Sequence, residues 1–181
     1  MSKSSQGFTA ISHPSARILI LGSLPGAMSL ERQQYYAKPQ NIFWQIMGAL
    51  VGAAPELSYV QRTEALTKAG IAVWDVCASA HRIGSLDSAI KHHAANDFVS
   101  FFAEHPKINL VCFNGQKAHA LYRRSVLGNL PPEIQQLTTR VLPSTSPAYA
   151  SVPYEDKLRQ WSSIMLDCRL NQLDPDGLDA K

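Results

Sequence analysis

Arg17-Ile18-Leu19-Ile20-Leu21 runs directly into Gly22-Ser23-Leu24-Pro25-Gly26, and this junction decides the fold. An apolar run that does not alternate with polar residues suits a strand buried on both faces, as inside a parallel sheet. Glycine and proline immediately after it end the strand in a compact turn. Ile71-Ala-Val-Trp-Asp-Val76 and Ile108-Asn-Leu-Val-Cys-Phe113 are runs of the same kind, and the shorter Arg140-Val-Leu142 predicts a fourth strand that fits a sheet edge.

The segments between these runs carry helical spacing. Phe43, Ile46, Met47 and Leu50 recur at i, i+3, i+4 and i+7. Ser58 and Gln61 form a capping box for a helix that ends at Gly70. Phe98, Phe101 and Phe102 share one face behind the cap residues Asn96 and Asp97, with Pro106 as the stop. Ser85 or Asp87 caps another helix start, and Ala118, Leu121 and Tyr122 follow the third strand. Leu158, Trp161, Ile164, Met165 and Cys168 make a closing amphipathic helix. Strands alternating with helices, joined by right-handed crossovers, predict a three-layer α/β/α sandwich around a four-stranded parallel sheet. The expectation is a single domain over residues 13–170, with 1–12 and 171–181 as flexible tails.

Composition narrows the functional classes. The chain has 181 residues, 45% hydrophobic and 17% charged, with a formal charge of +3, which permits nucleic acid as a partner without demanding it. Cys77, Cys112 and Cys168 are odd in number and far apart, which excludes a disulfide framework and points to a reducing, intracellular setting. Met1 to Ala10 lacks the pattern of a secretory signal, and no stretch approaches about 18 consecutive apolar residues, so no membrane association is expected. No Gly-Lys-Ser/Thr is present, which argues against a nucleotide triphosphatase, and Ser23 lacks the Gly-x-Ser-x-Gly setting of a hydrolase nucleophile. The histidines show no metal-ligand spacing with the cysteines, so neither a metal nor another cofactor is expected, and no obligate protein partner is evident.

Ligands of such sheets bind beyond the carboxyl ends of the strands. Gly22 and Ser23 follow the first strand, where a glycine lets the backbone approach a ligand. In Gln34-Tyr35-Tyr36-Ala37-Lys38-Pro39-Gln40-Asn41-Ile42-Phe43-Trp44, aromatics interleave with polar side chains as in base-stacking platforms. Phe43 belongs both to this segment and to the helix stripe; Asn41 reads either as a helix cap or as a site residue. Asp75 ends the second strand and either binds backbone amides or faces the site; His81 and Arg82 follow in a loop, where the arginine is either a solvated charge or a partner for phosphate. Asn114-Gly115 is either a turn or a base-reading amide, since Asn presents an acceptor beside a donor, matching an imide edge. Ser144, Thr145, Ser146, Pro147, Ala148 and Tyr149 form a stiffened loop of hydroxyls and backbone amides suited to phosphate.

Taken together, Gly22-Ser-Leu-Pro-Gly26, Tyr36-Ala-Lys-Pro-Gln-Asn-Ile-Phe-Trp44, Phe113-Asn-Gly115 and Leu142-Pro-Ser-Thr-Ser-Pro147 resemble the uracil-DNA glycosylase superfamily, in order and in strand placement, over roughly residues 15–170. Within it the chain is most similar to the hypoxanthine-DNA (deoxyinosine) glycosylase branch. The resemblance implies hydrolysis of the N-glycosidic bond of a deaminated base in damaged DNA, double- or single-stranded. It implies Tyr36 as the stacking residue, Asn41 as the water-placing residue and Asn114 in contact with base or water. Gly22, Ser23, Phe43 and Asp75 complete the expected base pocket, and Ser144 to Tyr149 pinch the DNA; of Pro147, Ala148 and Tyr149, which could wedge into the vacated stack, Tyr149 is the best steric candidate. Leu24 departs from the pattern: related sequences carry Asp or Asn there, and an apolar side chain cannot orient water. Lys38 stands where related sequences often have His.

Overall fold

In the computed structural model, residues 3–82 and 91–170 are described. The strands are β1 (Lys3–Gln6), β2 (Ile18–Gly22), β3 (Ile71–Asp75), β4 (Cys77–Arg82), β5 (Lys91–Ala95), β6 (Leu110–Asn114) and β7 (Thr138–Leu142). The helices are α1 (Ala27–Arg32), α2 (Phe43–Val51), α3 (Tyr59–Lys68), α4 (Phe98–Glu104), α5 (Gln116–Ser125), α6 (Pro132–Gln135) and α7 (Tyr154–Leu170). All five residues of β2 are buried, as a run without a polar face requires. It pairs in parallel with β3 on one side and β6 on the other, and the sheet order is β3-β2-β6-β7. The run read as an edge strand is β7, and its first residues are exposed where those of β2 are buried.

Strand alternation splits the apolar side chains between two cores. Leu19, Leu21, Val111 and Phe113 pack with α4 and α5, through Phe98, Phe102, Leu121 and Tyr122. Ile18, Ile20, Leu110 and Cys112 pack with α2, α3 and α7, through Phe43, Met47, Leu66 and Trp161. This is the expected three-layer sandwich. The capping box of α3 forms: the Gln61 N–H donates to Ser58 Oγ at 3.3 Å and the Ser58 N–H to Gln61 Oε1 at 3.0 Å, a cap worth about 1 kcal/mol. Asp97 caps α4, accepting from the Ser100 N–H at 3.1 Å.

Two expectations need correction. Residues 3–12 are not a loose tail. Lys3–Gln6 pairs antiparallel with β4, and β5 completes a three-stranded sheet of order β1-β4-β5. The backbones of Ile11 and Val73 exchange hydrogen bonds of 2.9 and 2.8 Å, and the Trp74 indole donates to the Phe8 carbonyl at 3.0 Å. His81 and Arg82, expected in a loop, belong to β4. The physical reason is common to both: these segments are small and polar, and backbone ladders rather than an apolar pattern hold them. The helix start expected at Ser85 or Asp87, and the tail 171–181, lie outside the described residues.

Candidate active site

The parallel sheet delivers the carboxyl ends of four strands to one rim. Gly22 and Asp75 are neighbours in register there, as are Asn114 and Leu142. A cavity of about 690 Å³ opens at this rim. Its lining includes Gly22, Ser23, Tyr36, Asn41, Asp75, Asn114 and every residue from Ser144 to Tyr149. The structure thus brings these sequence-predicted residues around one space.

Gly22 is required sterically. A Cβ there would lie 2.3 Å from Asp75 Oδ1 and 3.1 Å from the Tyr36 hydroxyl, so the carboxylate and the phenol converge over a bare backbone. Asp75 is 3% exposed and is the only carboxylate among the described lining residues. Its charge is felt nearby: burial, and then the Asp75 charge, push the Tyr35 phenol above the usual tyrosine range.

Tyr36 adopts a left-handed backbone (φ 54°), uncommon for an aromatic residue, and this swings its ring onto Phe43 at 4.0 Å between centroids and 24° between planes. Phe43, expected against the base, is fully buried and absent from the cavity wall. It supports Tyr36 from behind as part of the α2 stripe, so only Tyr36 is placed to meet a ligand.

Asn41 stands one residue before Ile42, the cap position of α2, and also lines the cavity. Its Oδ1 accepts from the Phe43 N–H at 3.0 Å, fixing the start of α2, while the residue lines the cavity. A carbonyl oxygen has a second lone pair, so the bond orients the amide without exhausting it.

Asn114 is more committed than the sequence suggests. Its Nδ2 donates to Thr145 Oγ1 and its Oδ1 accepts from the Thr145 N–H, both at 2.9 Å. The side chain thus clasps the 144–149 loop to the end of β6. Gly115 (φ 97°) makes room for this approach, since a Cβ would meet that of Ser144 at 3.0 Å. The Ile42 N–H donates to the Thr145 carbonyl at 3.2 Å, which joins the loop to the Tyr36–Phe43 segment.

The loop itself corrects the expectation of free amides. The Ser146 N–H donates to Ser144 Oγ (3.2 Å), the Ala148 N–H to Ser146 Oγ (3.3 Å) and the Tyr149 N–H to the Ser146 carbonyl (3.0 Å). With the Thr145 N–H bound to Asn114 and Pro147 lacking an N–H, the amides from Thr145 to Tyr149 are spent, while the Ser144 and Ser146 hydroxyls still carry protons to donate. Tyr149 is 43% exposed at the edge of the cavity.

Leu24 is 6% exposed and packs in the α4–α5 core. Nothing polar replaces it at that point of the turn. Sequence reasoning missed Lys157, which is 4% exposed and donates to the Tyr149 carbonyl. No sequence signal marks it, because a lysine beside Glu155 and Asp156 reads as a solvated helix face. Among the described residues, no group of His, Cys, Asp or Glu could hold a metal ion, and no helix is long and apolar enough to cross a membrane.

A cavity at the carboxyl rim of a β3-β2-β6-β7 parallel sheet is the ligand-binding place of an open α/β fold, and residues 9–166 match the family model of the uracil DNA glycosylase superfamily, to which this chain belongs. Two relatives are named Hypoxanthine DNA glycosylase. One, from Methanosarcina acetivorans, is 38% identical over 79% of this chain and 87% of its own. The other, from Methanosarcina barkeri, is 40% identical over 62% of this chain and 72% of its own. A solution NMR structure from Methanosarcina acetivorans, of a protein described as a candidate uracil DNA glycosylase, superposes with a TM-score of 0.77 at 33% identity, covering 92% of this chain and 99% of that one.

Proposed function

We propose that this chain is a DNA glycosylase that hydrolyses the N-glycosidic bond of a deaminated base, hypoxanthine in preference to uracil, and leaves an abasic site. The observation that carries the reading is the placement of Tyr36, Asn41 and Asp75 in one cavity whose rim holds the exposed Tyr149. The similarity to two proteins named for hypoxanthine supports the choice of base.

A deaminated base pairs weakly, so extruding it costs less than extruding a normal one. The Tyr149 ring fills the gap, and the Ser144 and Ser146 hydroxyls donate to flanking phosphates. In the cavity the base stacks on Tyr36, a contact worth roughly 1–3 kcal/mol. Bond breaking leaves the electron pair on the departing base and positive charge on the sugar; water oxygen then bonds C1′ and its surplus proton neutralises the departing base anion. The Asn41 amide oxygen, held by Phe43, accepts from that water and aims it. An amide is a poor proton acceptor, so dissociation precedes attack. The Asp75 carboxylate favours the positive sugar, supplying from β3 the charge that Leu24 lacks. Asn114 keeps the loop in place and has one N–H left to offer the base. No lysine has a clear claim to attack the sugar, so the strand is not nicked.

The test is release of free base from duplexes carrying deoxyinosine, deoxyuridine or deoxyxanthosine. Inosine duplex should react fastest; no release from any of the three overturns the reading. Asn41→Ala should cut turnover about 100-fold while DNA affinity is kept. Burial of Leu24 favours one alternative, a lesion-recognising protein that does not cut. Tight binding of inosine duplex with no product would select it.

A further inference from the structure

Lys157 lies in the first turns of α7 and is 4% exposed, and among the described residues no carboxylate pairs with it. A buried ammonium is costly without compensation, and the start of a helix is where positive charge is least favoured. Burial accordingly holds its pKa below the usual lysine range. The compensation comes from a single residue. Nζ donates to the Tyr149 carbonyl and sits 5.2 Å from the centre of the Tyr149 ring. Tyr149 is held again through its own N–H by the Ser146 carbonyl at 3.0 Å. The result is an exposed aromatic ring whose backbone is fixed on both sides.

A lysine meant for phosphate would stand in solvent, as Lys38 does at the same cavity. Lys157 is covered instead, so its charge is directed inward. We infer that Lys157 is a positioning residue for base extrusion: it aims the Tyr149 ring at the duplex stack without itself touching DNA. The inference rests on the reading of Tyr149 as the wedge. It assigns a role to a buried cation that the hydrolytic steps do not use.

A double-mutant cycle tests it. Lys157→Met keeps the length and apolar stem of the side chain and removes the charge and the donor. It should lower kcat/KM on inosine duplex about tenfold, the low end for losing a hydrogen bond from a charged group. Tyr149→Ala should cause a comparable loss, and adding Lys157→Met to Tyr149→Ala should cost less than twofold more, because the ring to be aimed is gone. In parallel, 2-aminopurine placed beside the inosine reports opening of the stack, and its fluorescence rise at saturating protein should shrink in Lys157→Met. A purely structural lysine would give additive losses, since the Tyr149 carbonyl survives in Tyr149→Ala. Additive losses, no loss in Lys157→Met, or an unchanged fluorescence rise each overturn the inference. Should Lys157→Met be recovered unfolded, Lys157→Gln, too short to reach the carbonyl, enters the same cycle. Failure of wild-type protein to release any base would defeat the glycosylase reading instead, and the fluorescence cycle would still decide this one.

Discussion

Gly22 shows how strongly one missing atom shapes the site. Adding a methyl group places carbon 2.3 Å from Asp75 Oδ1, so either the carboxylate turns or the strand shifts. Gly22→Ala should therefore lower stability by about 1–3 kcal/mol and reduce base release at least tenfold, measured by denaturant unfolding and single-turnover assay. Adding Asp75→Ala should recover much of the stability but not the activity, because the clash is removed together with the charge. At this scale the sequence was readable where residue type and strand end coincided, as at Asp75 and Asn114, and where aromatic and polar residues interleave, as at Tyr36 and Asn41. Phe43 was misplaced because an aromatic in a polar-aromatic segment and an aromatic in a helix stripe look alike, and here the stripe prevails. Lys157 was invisible because its burial depends on a contact eight residues back along the chain.

Among the elements, the parallel sheet was legible because burial on both faces writes continuous apolar runs, and α3 because its capping box is a local hydrogen-bond pattern. The β1-β4-β5 sheet was not, since Cys77–Arg82 and Lys3–Gln6 carry no side-chain period that distinguishes them from loop. The packing of α5 on β6 carries a pH signature. His119 rests against the Phe113 ring, 4.9 Å between centroids, and burial, then the Arg123 charge, lower its pKa from 6.5. The unfolded chain then binds the proton more readily than the folded one, so the contribution of this residue is present above pH 6.5 and is lost as pH falls through the depressed value. His119→Gln should shrink the fall in melting temperature between neutral and mildly acidic buffer, measured by thermal denaturation at each pH.

For the whole molecule, a net charge of +3 is too small to hold DNA by long-range attraction alone. On the proposed reading, binding rests on a few contacts around the cavity, which Lys38, Lys117, Ser144 and Ser146 line. Two to three phosphate contacts should give a log–log slope of kcat/KM against salt of about −2 to −3, and Lys38→Ala should flatten it by about one. The 144–149 loop adds a kinetic consequence. Because Asn114, Lys157 and the loop's own hydroxyls already satisfy its backbone, it has little conformational freedom to surrender on meeting a duplex. As the proposed glycosylase, it would interrogate one base step after another with a stiff probe, its search limited by how fast base pairs breathe and not by how fast the probe assembles.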